Sequence, residues 1–337
     1  MSALRESIAT SARPLVSVII PVYNGGDHIR ECLASFRDQD YRRHYEVILV
    51  DNGSTDGTAR IAAGFPEVRY VYFNRSKSSY AARNEGARHA RGDVLVFFDA
   101  DQSAKPSFLT ILLDEYAAGD PNHIYVGRLE DDPRVPRVLR EFFPWLLSTE
   151  AQSKGQIQTA AVAVPRALFE RLGGFKEHLL SGGDFEFFER AVRVATVHKN
   201  PQPGASHYYA RGVGHYLKKE QRGVFGQCLM AKVEGRPGPR VLVYFADAAI
   251  GCLKRGVDAM SIPLRYPAEE WPIRWQAHVI RCLKLAYRLR AVVAFKLGAE
   301  RMGDLPHDAR VSASRRQSDD ATRRQAGLGS TAARVTR

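Results

Sequence analysis

Two aspartates separated by one residue, Asp99 and Asp101, follow a run of five apolar residues (VLVFF) over 94–98. Carboxylates at the end of a strand can converge on one cation or one hydroxyl. Such oxygen ligands suit Mg²⁺ or Mn²⁺, ions that often bridge to the phosphates of a substrate. A further acid, Asp184, follows Ser181-Gly182-Gly183. Paired glycines permit close backbone approach. Asp184 also falls in the first turn of a predicted helix, where the macrodipole favours the ionised carboxylate. An Asp-X-Asp tripeptide is short and common, so its weight here comes from context. Three strand–turn units precede it, and each ends in polar residues: Tyr23 and Asn24, Asp51 and Asn52, Asn74 and Arg75.

The elements that must position these groups are legible as apolar periodicity. Runs over 16–21 (VSVIIP), 45–50 (YEVILV), 68–73 (VRYVYF) and 94–98 predict buried strands. Between them, 27–38, 58–63 and 80–90 predict helices, the first with Ile29, Leu33 and Phe36 at helical spacing. This alternation predicts parallel βαβ units, whose ligands bind beyond the carboxyl ends of the strands. Later, 160–164 predicts a strand, 165–172 a helix closing at Gly173-Gly174, and the chain from 217 onward is mainly helical in pattern. Turn residues also have plain roles as caps. Asp51 and Asp184 could each cap a helix, Asp56 reads as a helix-start residue, and Arg83 as a surface ion. Asp99 and Asp101 lack that explanation, because Pro106 delays the next helix.

At 337 residues, with 45% hydrophobic and 26% charged, the composition is globular, which excludes collagen-like, coiled-coil and wholly disordered classes. Four scattered cysteines argue against a disulfide framework or zinc site and for a reducing compartment. Residues 1–15 form a polar leader without a signal-peptide core. The longest apolar stretch, 241–253, is interrupted by Asp247 and falls short of the roughly 20 residues a spanning helix needs. A cytoplasmic chain is the expectation. The net charge of +12 sits in residues 211–337, while 1–210 are close to neutral. The appendage therefore has its own anionic partner, and composition leaves lipid and nucleic acid both open. Over 278–297, Arg281, Lys284, Arg288 and Lys296 share about a third of the helical circumference. They predict a solvated face, or one that docks on the inner surface of the cell membrane. From about 303 the sequence reads as disordered.

Four segments taken in order, VSVIIPVYNGGDHIRECLASF, YEVILVDNGSTDGT, AARNEGARHARGDVLVFFDAD and GGFKEHLLSGGDFEF, resemble the family 2 glycosyltransferases of the GT-A fold. The resemblance spans roughly residues 16–211. It implies an α/β fold, a Rossmann-like mixed sheet flanked by helices, here followed by a mainly helical basic extension. It also implies inverting transfer of a sugar from a nucleotide-diphosphate sugar, a UDP-sugar foremost, to an acceptor hydroxyl, usually with a divalent metal. Matched residue by residue, Pro21, Tyr23, Asn24, Asp51 and Asn52 fall at the nucleotide. Arg83 and Asn84 fall near the diphosphate, and Asp99 at the ribose or sugar. Asp101 falls at the metal with His207, for which His215 competes at a less suitable spacing. Asp184 is the matching base. Gly183 stands where the family has a second acid, and Glu186 is offered as its compensation.

The implied acceptor is a glycan or lipid-linked intermediate of cell-surface polysaccharide or glycolipid synthesis, with no nucleic acid partner expected. Its binding loops are expected over 127–158, with Trp145 available for stacking. The expected organisation is a leader (1–15), a transferase domain (16–215), a helical basic extension (216–300) and a tail (301–337). Two other readings compete. A haloacid-dehalogenase-type phosphatase would use Asp99 and Asp101 but leave PVYN, VDNGSTDGT and AARN unused. A degenerate nucleotide-binding scaffold would account for Gly183.

Overall fold

The computed structural model describes residues 16–113 apart from 42 and 77, 122–142, 157–233, and 250–296 apart from 252, 255 and 257. The leader, the tail, residues 241–249 of the apolar stretch and Trp145 lie outside the described residues, and the span 127–158 expected as loops begins in a strand (to Asp131) and includes a helix (Arg137–Phe142).

β1 (Val16–Val22), β2 (Tyr45–Asp51), β3 (Val68–Tyr72) and β4 (Val94–Phe98) run parallel. They are joined through α1 (Ile29–Arg37), α2 (Thr58–Ala62) and α3 (Ser79–His89), close to the predicted spans. Alternate side chains of β1 point to opposite faces. Val16, Val18 and Ile20 pack with Ile29, Leu33 and Phe36 of α1 on one side, whereas Ile19 packs with Ala81 and Ala82 of α3 on the other. A sheet covered on both faces explains why its strands read as unbroken apolar runs. Gly86 lets α3 lie tight on the sheet: a Cβ there would come within 2.4 Å of Ile19 Cγ2. That close seat brings Arg83 and Tyr80, about one and two turns earlier, to the carboxyl ends of the strands.

The second half adds β5 (Gln102–Ala104), α4 (Phe108–Leu113), β6 (His123–Asp131), α5 (Arg137–Phe142), β7 (Ala161–Pro165), α6 (Arg166–Arg171), α7 (Gly183–Ala191) and β8 (Thr196–His207). The eight strands form one sheet in the order β3-β2-β1-β4-β7-β6-β8-β5. The parallel pattern stops at β4, because β7 runs antiparallel to both β4 and β6. Apolar periodicity missed β5, β6 and β8. β8 (TVHKNPQPGASH) carries two prolines and few apolar residues. Its antiparallel pairing with β5 sets His207 opposite Gln102, just past the Asp99–Asp101 turn.

Among the described residues, the helices α8 (Val213–Val233), α9 (Ile262–Arg265) and α10 (Trp271–Lys296) follow, with a 3-10 turn at Ala268–Glu270 leading into α10. α10 packs along α8 and against α5, and Tyr216, Leu217, Ala277 and Ile280 join Val135, Leu139 and Tyr209 in a third core. A polar seam runs beside it. Lys284 Nζ lies 2.9 Å from the Tyr216 hydroxyl and 3.0 Å from Glu220, and Arg288 pairs with Glu220 at 3.2 Å. The Arg281 guanidinium sits 5.7 Å from the Phe142 ring centre. The expected solvated basic face is therefore corrected: Arg281, Lys284 and Arg288 turn inward, because Glu220 and the aromatic rings of α8 and α5 supply their partners. Cys32 is a buried free thiol.

Candidate active site

At the carboxyl end of the parallel strands, the turns after β1 and β2 are stitched together. Asn24, held at φ 52°, accepts from the Thr55 amide at 2.8 Å, and its own amide donates to the Ser54 hydroxyl at 2.9 Å. Asp51 accepts from the Ser54 amide at 2.7 Å and from the Tyr70 hydroxyl at 2.6 Å. It does not cap α2. Asp56, two residues before the first residue of α2, accepts from the Thr58 amide at 3.0 Å. Asp51 and Asn52 are buried under the rim, while Pro21, Tyr23 and Asn24 line a cavity of about 630 Å³ together with Asp99 and Asp101. Tyr23, one of these lining residues, is 53% exposed.

Asn84 does not reach this cavity. Its amide accepts from the Phe175 N–H at 3.0 Å and donates to the Phe175 carbonyl at 2.8 Å, clamping the segment that leads to α7. The match to a diphosphate position thus gives way to a structural role.

Asp99, Asp101 and His207 offer ligand atoms that all lie within 4.8 Å of one another. His207 Nε2 is 3.2 Å from Asp101 Oδ1. This closeness follows from the β5–β8 pairing and from the Tyr208 amide, which donates to the Asp101 carbonyl at 2.9 Å. Two carboxylates and an imidazole make a donor set that fits Mg²⁺ or Mn²⁺. His215 lines the cavity but is not in the cluster. Basic groups crowd the same carboxylates: Arg83 Nη2 meets Asp99 at 2.5 Å and Lys219 Nζ lies 3.9 Å from Asp101. Burial pushes the Asp101 carboxyl up, but His207, Lys219 and His28 together hold it well below the usual carboxylate range.

A second cavity, of about 420 Å³, is lined by Asp184 and shares Ser79, Arg83, Asp99 and Arg222 with the first. The metal-type cluster and Asp184 therefore face two compartments with a common wall. Asp184 opens α7 after Gly182, which is held at φ 79°. Its Oδ1 accepts from the Tyr80 hydroxyl at 3.0 Å and the Phe185 amide at 3.1 Å. Burial pushes the Asp184 carboxyl up, and Arg83 with these two donors only partly offsets that. Glu186 is engaged elsewhere, with Arg190 at 2.8 Å and Lys176 at 3.8 Å.

The reason for Gly183 is spatial. A Cβ at this position would lie 2.7 Å from Tyr80 Cδ2, so the tyrosine ring fills the space a side chain would need. That ring is itself fixed between Phe175, at 5.7 Å, and the Arg83 guanidinium, at 5.6 Å. Sequence reasoning missed Tyr80, and also Lys219 and Arg222 of α8. Lys218, Lys219 and Arg222 form a basic cluster within about one helical turn, and that spacing is the signal in the sequence that marks them.

The profile described as "Glycosyl transferase family 2" matches residues 17–171. The glycosyltransferase AglE of Haloferax volcanii is 33% identical over 265 residues, covering 76% of this chain and 87% of that protein. The chain belongs to glycosyl transferase family 2. A shorter match, 37% identical over 100 residues, covers 28% of this transferase and 39% of the putative teichuronic acid biosynthesis glycosyltransferase TuaG of Bacillus subtilis. Among solved structures, the mannosyltransferase PcManGT of Pyrobaculum calidifontis, in complex with GDP-Man and Mn²⁺, superposes with a TM-score of 0.50. It is 23% identical, and the match covers 91% of this chain and 81% of that one. The mixed sheet with flanking helices is thus the GT-A fold, and the phosphatase reading is set aside by family membership.

Proposed function

We propose that this family 2 glycosyltransferase moves a sugar, with inversion, from a nucleotide-diphosphate sugar to an acceptor hydroxyl, with Asp184 as the base. The observation that carries this reading is the shared wall. Asp101 and His207 line or flank one compartment, Asp184 lines the next, and Arg83, Asp99 and Arg222 belong to both cavities. In this reading the open ring of Tyr23 stacks on the nucleotide base, while Pro21 and Asn24 shape its seat. Asp51 and Asn52 support that seat from below. Asp99 is assigned to the ribose or sugar, and Arg83 keeps it oriented.

Asp101 and His207, with Asp99 beside them, would hold Mg²⁺ or Mn²⁺, an ion that supplies positive charge opposite a departing diphosphate. Arg222 adds a basic group to the same wall, and Lys219, which lines the Asp184 cavity and lies 3.9 Å from Asp101, adds another, so developing negative charge is met without reorganisation. Across it, Asp184 takes the proton of the attacking hydroxyl, a contribution typically of about 10²–10⁴-fold. Its raised carboxyl suits that work, since a stronger base accepts a proton more readily. The cations around Asp184 favour an acceptor that carries phosphate near its hydroxyl, as a lipid-linked glycan does. A UDP-sugar donor, an acceptor bound for cell-surface polysaccharide or glycolipid, and action on the cytoplasmic side complete the reading. We assign residues 16–215 to the transferase domain and 216–300 to its extension.

The test is nucleotide release from UDP-, GDP- and dTDP-sugars with and without Mn²⁺. Metal-stimulated release that Asp184→Asn lowers far more than it lowers donor affinity supports the assignment. Donor binding without turnover, unchanged by Asp184→Asn, would favour the nucleotide-binding scaffold instead.

A further inference from the structure

α10 carries six Lys/Arg and no Asp/Glu over 26 residues. Its inner face buries Ala277, Ile280, Ala291 and Val292, with Lys284 and Arg288 paired to Glu220. The opposite face is the unexpected one. Trp275, Val279 and Leu283 recur every fourth residue and stay 43%, 56% and 42% exposed. At 3.6 residues per turn they form a stripe about 80° wide, and exposed Ala286 and Arg290 continue it. The chain leading into α10 exposes still larger fractions of Leu253, Met260 and Leu264 (73%, 72% and 88%). Among the described residues, eight of the fourteen exposed large hydrophobic ones fall within 250–283. A monomer normally scatters such residues singly, so a concentration of this kind marks a surface that another phase or molecule covers.

We infer that the outer face of α10, through Trp275, Val279 and Leu283, docks this transferase flat on an anionic lipid bilayer. Charge selects the occupant. The outer stripe presents Arg290 and no acid, so a second copy would bring like charge to it with no carboxylate from the facing α10 to offset it. An anionic leaflet instead attracts each nearby Lys or Arg by about 1 kcal/mol while accepting apolar side chains beneath its headgroups. Trp275 has the amphipathic ring favoured at that boundary. Among the described residues no helix is long and apolar enough to cross a membrane, so α10 lies on the surface. The docking face is the reverse of the basic one suggested by the sequence. Arg288, on the inner side of α10, lines the Asp184 cavity. Docking therefore holds that cavity about one helix diameter, roughly 10 Å, from the lipid, within reach of an acceptor anchored there.

The experiment is flotation of the full chain with phosphatidylcholine vesicles, with and without phosphatidylglycerol. It compares wild type with the triple variant Trp275→Ser, Val279→Ser, Leu283→Ser, and light scattering is run on both. The wild type should float with the anionic vesicles, and the variant should partition on the order of a hundredfold more weakly, from the loss of three inserted apolar side chains. Nucleotide-sugar binding should be equal in both proteins, which separates docking from folding and from the transferase reading. The inference is overturned by a wild type that ignores anionic vesicles or by a variant that floats as well as wild type. A wild-type dimer that the variant converts to monomer would also overturn it, since the stripe would then be an interface between copies.

Discussion

Tyr80→Phe removes one oxygen atom and leaves the ring that fills the space beside Gly183. The lost hydroxyl donates to Asp184 Oδ1 at 3.0 Å, and burial keeps that hydroxyl protonated well past neutral pH. A hydrogen bond to a charged group is worth about 1.5–3 kcal/mol, and its loss falls on the ionised carboxylate. At about 1.4 kcal/mol per pKa unit, the Asp184 carboxyl should rise a further one to two units, beyond the elevation that burial already imposes. The charged groups that line the same cavity from other elements, Arg83 of α3, Asp99 after β4, Lys219, Glu220 and Arg222 of α8 and Arg288 of α10, are unchanged by the substitution. In a pH–rate profile of nucleotide release, the acid limb should therefore move to higher pH by about one to two units. Above the limb, turnover should stay within roughly tenfold of wild type, because the Phe185 amide still holds the same oxygen at 3.1 Å. An unmoved limb with a collapsed plateau would refute the reasoning. It would mean that Tyr80 does not set the basicity of Asp184, or that Asp184 is not the group whose ionisation limits the rate.

Asp184→Asn should cost about 10²–10⁴-fold in turnover, with donor affinity, measured by calorimetry, changed only a few-fold. The same variant should melt higher than wild type at neutral pH. The folded carboxyl holds its proton more tightly than the unfolded one, so wild type loses stability as pH rises through the folded value and the amide does not. The advantage should shrink as pH falls toward the ordinary carboxylate range. Asp101→Ala should abolish metal-stimulated release and Mn²⁺ binding by calorimetry while the far-ultraviolet circular dichroism stays native. Gly183→Ala places a methyl 2.7 Å from the Tyr80 ring and should cost about 1–3 kcal/mol in denaturant unfolding. Combined with Tyr80→Ala, which empties that space, the two losses should sum to less than their separate values.

Local order along the chain determined a good deal. Apolar runs spaced by helices marked β1 to β4 within a residue or so, and the polar residues after each strand marked the rim where Tyr23, Asn24, Asp99 and Asp101 gather. These are short-range signals, carried by side-chain period and by the fixed direction of a βαβ unit. Tertiary structure decided the rest. His207 reaches Asp101 only because a proline-bearing, mostly polar strand pairs with the three residues of β5. Tyr80 reaches Asp184 across 104 positions, and the absence of a side chain at 183 has meaning only once the ring that replaces it is known. Asn84 was read as a ligand residue from its motif, yet the carbonyl and amide of Phe175 claimed it. The basic face of α10 turned inward for the same reason. A helical wheel records which residues share a side, but the choice of the buried side belongs to the partner helix, and Glu220 with Tyr216 made pairing the cations more favourable than covering the Trp275 stripe.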